Sequence, residues 1–254
     1  MEPHNKIIND VAKRILKPEG LFRVGSSRSW IEDNGYFFTI VNFEPSGYTK
    51  GSYLNVGIDF MWGNREENNE SLAFEVGGRI FVGKGTHYVD YRPRVKNCDE
   101  LFTQGIEKFA EAALLKVKEY RNYCDLDYAK EMLTKSVKDI PIECQFWDLY
   151  RLAMLCFFKG DYIEGKDYFY EYLEQIKNSF YGSIKVIRGD KDTIHTGHIE
   201  WREAFYHYCM DTIVPMIEDA KTAQQMVFNK INKRRAIFSS KTSYKKMKKE
   251  IYYK

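Results

Sequence analysis

The chain has 254 residues and a net charge of +3, with 44% hydrophobic and 16% aromatic side chains. That length can bury a core as one large domain or two modest ones, and the composition excludes a disordered chain. The longest apolar run, Leu152 to Phe158, falls far short of the roughly 20 residues a membrane helix needs, so no membrane span is expected.

No apolar segment follows Met1-Glu2-Pro3-His4-Asn5-Lys6, so no secretory signal is expected. Cys98, Cys124, Cys144, Cys156 and Cys209 are widely spaced and include no Cys-x-x-Cys pair. They read as reduced thiols of a cytoplasmic protein, and neither a zinc site nor any other cofactor is expected.

The first element is an amphipathic helix from about Asn5 to Leu16, with Ile7, Ile8, Val11, Ala12, Ile15 and Leu16 at helical spacing. Pro18 and Gly20 end it. A strand from about Arg28 to Asp33 follows, and Asn34-Gly35 turns the chain into a second strand, Tyr36 to Glu44. After Pro45-Ser46-Gly47 comes Ser52 to Trp62, in which Leu54, Val56, Ile58, Phe60 and Trp62 alternate with Tyr53, Asn55, Gly57, Asp59 and Met61. Such alternation predicts an antiparallel sheet covered by helices on one face and open to water on the other. Gly63 to Ser71 reads as a loop. Gly77-Gly78 predicts a two-residue turn joining strands Leu72–Val76 and Arg79–Val82, and Tyr88 to Arg92 adds a last strand before Pro93.

Beyond Pro93 the period changes to about 3.6. Asn97 and Glu100 have the spacing of a capping box opening a helix to about Asn122, with an inner stripe of Phe102, Ile106, Phe109, Ala113, Val117 and Tyr120. A shorter helix spans about Asp125 to Lys138, stopped by Pro141. Glu143 to Lys159 and Tyr162 to Lys177 form a helical pair around Gly160-Asp161, similar to one tetratricopeptide-type hairpin. A single copy cannot stack into a solenoid. Asn178 to His198 shows no clear period. A long helical stretch then runs from about Ile199 to Ile237, bent near Met210 to Ile213 by Pro215. The fold class is therefore α+β: an N-terminal helix and an antiparallel meander sheet in residues 1–96, an all-α region in 97–237 packed on it, and a basic tail in 238–254.

The segment from Leu16 to Trp62 resembles a widespread bacterial family catalogued as a domain of unknown function, the one numbered 4304. The matching positions are Gly25, Arg28, Trp30, Val41, Asn42, Phe43, Tyr53, Leu54, Asn55, Val56 and Gly57. The resemblance covers about the first half of the chain. It implies a cytoplasmic bacterial protein of α+β fold, and by analogy with small immunity and partner-binding proteins, a module that binds another protein.

Arg28 and Trp30 are two apart on one strand and so share a face. Together they suit an anion or an acidic partner, because guanidinium binds carboxylate bidentately and stacks on rings. The alternative is structural, with Trp30 packed under the first helix and Arg28 paired to Glu32 or Asp33. Asn55 and Asp59, on the polar face of the same sheet, are the other candidate binding residues. His195, His198, Glu200 and His207 invite a metal reading, but they lack a His-Glu-x-x-His pattern and a third ligand at a recognised spacing. Asp190 and Asp192 lack the spacing of a calcium loop. Gly77, Gly78, Gly83 and Gly85 are not followed by the helix and Lys-Ser/Thr of a phosphate loop.

Residues 229–254 carry ten basic side chains against one acid, leaving a net −6 on the remainder. The alternative function is therefore nucleic-acid binding through Lys233, Arg234, Arg235, Lys245, Lys246, Lys248 and Lys249, interleaved with aromatic rings. A third is a hydrolase using Arg28, Asp59 or the His195/His198 pair. No catalytic machinery is evident, and the leading expectation is a non-enzymatic module with a protein partner, immunity-like or defence-associated.

Overall fold

A computed structural model describes residues 2–63, 71–83, 85–139, 145–188 and 191–239, and the side chains of 181–198 and of 239 lie outside that description. The chain divides into two compact units, one of residues 1–125 with 231–254, the other of residues 126–230. The expected boundary at 96/97 thus falls inside the first unit. The long helix after Pro93 belongs with the sheet it packs on.

In the first unit, helix α1 (Pro3–Ile15) opens with Pro3 in its first turn, where the missing N–H costs nothing, and Gly20 ends the short turn that follows it. The sheet runs β1 (Phe22–Arg23), β2 (Ser29–Asp33), β3 (Phe37–Pro45), β4 (Gly51–Phe60) and β5 (Val76–Arg79), all antiparallel, with β6 (Tyr88–Asp90) also paired to β4. The two-residue β1 was not foreseen. Helix α2 (Cys98–Tyr120) packs against α1, β3 and β4, and its whole expected inner stripe from Phe102 to Tyr120 is buried. Each such phenylalanine contributes about 1.5–3 kcal/mol by leaving water.

Register sorts the sheet into two faces, because cross-strand partners point the same way. Trp30, Val41 and Val56 align across β2, β3 and β4, as do Glu32, Thr39 and Ile58. This is the face toward the end of α2: Arg121 donates to both oxygens of Glu32, and Phe37 meets Tyr123 edge-on. The opposite face carries Asp33, Phe38, Ile40, Asn55 and Asp59. It is not open to water, as the alternation suggested. Phe38, Ile40 and Asp59 are fully buried, and Phe38 packs edge-on against Phe238 at the end of helix α7 (Ala220–Ser239). Alternation reports that the two faces differ. It does not report that one is wet.

Two local expectations also fail. Asn97 sits at φ +60 and makes no side-chain cap bond, so no capping box forms; a capping side chain needs extended backbone. Gly77 and Gly78, both at positive φ, do not turn the chain but lie within β5, opposite Gly57 and Val56. Their left-handed freedom is spent on an irregular edge strand that an ordinary residue would strain.

The second unit begins with α3 (Leu126–Asp139), α4 (Phe146–Lys159) and α5 (Tyr162–Asn178). Helix α4 is buried along most of its length, and the α4–α5 hairpin turns at Gly160 as expected. Gly165 of α5 lets the helices close, since an added Cβ would sit 2.7 Å from the Phe157 ring. Where no period was legible, β7 (Tyr181–Arg188) and β8 (Lys191–His198) form an antiparallel hairpin, so the C-terminal region is not purely helical. Helix α6 (Glu200–Tyr208) gives way to a wide π-type turn at Cys209–Ile213 and a 3-10 turn at Val214–Ile217. That break matches the bend expected from Pro215. The first part of α7 completes this unit and its last turns belong to the first. Pro141, Glu143, the bulk of the 63–71 loop and 240–254 fall outside the described residues. Among the described residues no helix is long and apolar enough to cross a membrane.

Candidate binding site

The loop between β1 and β2 is folded by its own small residues. Gly25 takes φ +55, Ser27 Oγ donates to the Val24 carbonyl at 2.7 Å, and Ser27 Oγ accepts from the Ser29 amide at 3.1 Å. Arg23 curls back onto this loop, with Nε donating to the Ser27 carbonyl at 2.6 Å and Nη2 to that of Ser26. Asn5 and Asn9 come from one face of α1, four residues apart. Arg28 spans the gap: Nε donates to Asn5 Oδ1 at 2.8 Å and Nη1 to the Gly51 carbonyl at 3.0 Å. Together with Ser26, Ser27, Asn42 and Pro45 these residues line a cavity of about 450 Å³ that holds two guanidinium groups and, among the described residues, no acid.

Arg28 is half-buried, and burial pushes its pKa below the usual guanidinium value, against a smaller opposing effect of Tyr88. It still carries its proton. A desolvated cation is ordinarily paired with a carboxylate. Here both acceptors are neutral, and the two acids expected to pair with it are engaged elsewhere, Glu32 by Arg121 and Asp33 by Arg235.

Trp30, the other half of the expected pair, is 2% exposed, so it is a packing residue that no ligand in the cavity can stack on. Its indole N–H is buried and has no acceptor among the described residues. Asn55 and Asp59 lie on the opposite sheet face and do not join Arg28. Asn55 Nδ2 donates to Glu44 at 2.7 Å, which, with Arg79 beside it, holds that carboxyl below its ordinary pKa. Asp59 is fully buried and 3.1 Å from Arg234 Nη2. The four expected binding residues therefore form no single site.

Arg234 and Arg235 are likewise engaged inside the first unit, with Asp59 and Asp33, so two of the seven basic residues of the nucleic-acid reading already have acidic partners. Lys233 is exposed. Lys245, Lys246, Lys248 and Lys249 lie outside the described residues. His195 and His198 are on strand β8, opposite Ile184 and Tyr181, where residues three apart point to opposite faces; His207 sits on α6, 4.0 Å from Glu203.

One metal-like cluster escaped the sequence reading. Cys156, Asp161 and Glu164 bring their ligand atoms within 4.8 Å of one another at the α4–α5 turn. Lys130 of α3 already fills it, its ammonium donating to Asp161 at 2.7 Å and to Glu164 at 2.6 Å. Burial pushes the Cys156 thiol up to about 12, so in this environment it stays protonated beside the Lys130 ammonium. The cluster is a helix-to-helix ionic clamp.

His4, buried in the first turn of α1, supplies a pH prediction. Its pKa lies below 6.5 because of burial first and the positive field of Arg28 second, against the pull of Glu2. The folded state holds the neutral ring, so protons favour the unfolded chain. Stability from this residue is complete above about pH 6.5 and declines as pH falls below it. The melting temperature measured from pH 8 to pH 5 should fall less steeply in His4→Gln than in the parent.

No family model, no curated protein and no solved structure matches this chain.

Proposed function

We propose that the chain is a non-enzymatic interaction module of the bacterial cytoplasm, which seats an acidic group of a partner against Arg28. The observation that carries the reading is a half-buried guanidinium, locked by neutral acceptors, on the wall of a cavity without acids. The motif resembling the family numbered 4304 supports it, since Arg28 and Asn42 belong to that motif and line this cavity, and Gly25 of the motif shapes its loop. Immunity-like or defence-associated binding is the role that resemblance suggests. The hydrolase reading is less favoured, since Arg28 and Asp59, two of the groups it would use, sit in separate environments. Nucleic-acid binding is weakened by the internal pairing of Arg234 and Arg235.

The test is a titration of ¹⁵N-labelled protein with a short aspartate-rich peptide. Amide shifts should gather at Asn5, Arg23 to Ser29 and Asn42. Arg28→Gln should weaken binding at least tenfold, the loss of about 1.4 kcal/mol or more expected for a charge-assisted hydrogen bond, in a variant whose amide spectrum shows it folded. Shifts centred elsewhere, or binding indifferent to Arg28, would overturn the reading.

A further inference from the structure

We propose that the anion this cavity takes is a phosphate monoester rather than a carboxylate, an inference that rests on the Arg28 cavity being the binding site. The argument begins with donors. A guanidinium has five N–H donors in a fixed plane. Arg28 uses two on Asn5 Oδ1 and Gly51 O, and Arg23 uses two on Ser26 O and Ser27 O. Each therefore keeps three, oriented by the bonds already made, and neither has a carboxylate partner among the described residues. A carboxylate offers one charge and about four acceptor positions, fewer than the donors these two groups keep. A phosphate monoester brings about −1.5 to −2 charge at pH 7 and three acceptor oxygens against the carboxylate's two, so about six acceptor positions on the same count, matching the spare N–H groups of two cations.

The remaining wall points the same way. Asn5, Asn42, Ser26 and Ser27 add amide and hydroxyl groups, and Pro45 is the only wholly apolar side chain of the lining. A hydrophobic ligand body would find little to cover it. A hydrated oxyanion on a small polar carrier, whether a phosphorylated side chain or a sugar phosphate, suits such a surface. The binding is preorganised, because both guanidinium groups are held before the ligand arrives.

Isothermal titration with three probes tests this: a blocked phosphoserine peptide, the same peptide with aspartate in its place, and glucose 6-phosphate. The phosphoserine peptide should bind at least tenfold tighter than the aspartate peptide. Arg23→Gln and Arg28→Gln should each weaken phosphate binding at least fivefold at a temperature where circular dichroism shows both variants folded. Tighter binding of the peptide than of glucose 6-phosphate assigns the phosphate to a protein partner, and the reverse assigns it to a free metabolite; either supports the phosphate class. Equal or tighter binding of the aspartate peptide, or indifference to Arg23→Gln, overturns the phosphate inference and leaves the acidic-group reading standing. Failure of all three probes to bind overturns both.

Discussion

Replacing Arg234 by methionine should destabilise the protein by about 3–5 kcal/mol, the cost expected when one partner of a buried ion pair is removed. Asp59 is 0% exposed and the Arg234 side chain 8% exposed, with Nη2 3.1 Å from the carboxylate. The same Nη2 donates to the Ser71 carbonyl at 2.5 Å, and the guanidinium lies 5.1 Å above the Phe238 ring. Methionine keeps much of the stem volume, so the loss reports chiefly on the charge left at Asp59. The double variant Arg234→Met, Asp59→Leu should recover most of it, because apolar replacement of a whole buried pair is often neutral or better. Urea unfolding of the two variants and the parent checks both. A single-variant cost below about 1 kcal/mol, or no recovery in the double variant, would contradict burial of this pair.

That pair also shows what the sequence does and does not reveal. The strands of the meander were legible because alternation and the Asn34-Gly35 turn are local signals, and α1, α2 and the α4–α5 hairpin because helical period is local too. Asp59 was placed on the right face but in the wrong environment. Its partner lies 175 residues away, and no local pattern says which of ten basic residues in the C-terminal stretch will reach it. The same holds for Lys130, whose carboxylate partners lie more than thirty positions downstream. The β7–β8 hairpin was missed because its residues are mixed in polarity and give no clear period. Asn97 was misread because a capping box is a sequence spacing, whereas capping needs a backbone angle that Asn97 does not adopt. At the candidate site Arg28 was legible as a charged residue with a ring two positions on. The cavity itself was not, because Asn5, Arg23 and Asn42 meet it only through the loop that Gly25 and Ser27 fold. A signal was present in Arg23-Val24-Gly25-Ser26-Ser27-Arg28, two arginines flanking small turn-forming residues.

Two tryptophans separate packing from mere ring stacking. Trp62 is fully buried and lies parallel to Tyr36, with centroids 5.1 Å apart, and to Phe60 at 5.4 Å. Tyr36 is itself fixed by donating its hydroxyl to the Tyr123 carbonyl. Tyr36 and Phe60 also stack on each other, 6.2 Å apart, so alanine at position 62 removes one member of a buried three-ring cluster and leaves a cavity beside the other two. The expected loss is about 3–5 kcal/mol. Trp201 also stacks on a neighbour, Trp147, at 6.0 Å and 3° between planes, yet it is 48% exposed. Removing it returns little surface to water and opens no cavity, so Trp201→Ala should cost about 1 kcal/mol or less, of the order of an aromatic pair alone. Urea unfolding of both variants, with each midpoint compared to the parent's, decides between the two environments. If Trp201→Ala proved the more damaging, stacking rather than burial would govern these rings, and the core assigned to the sheet would have to be redrawn.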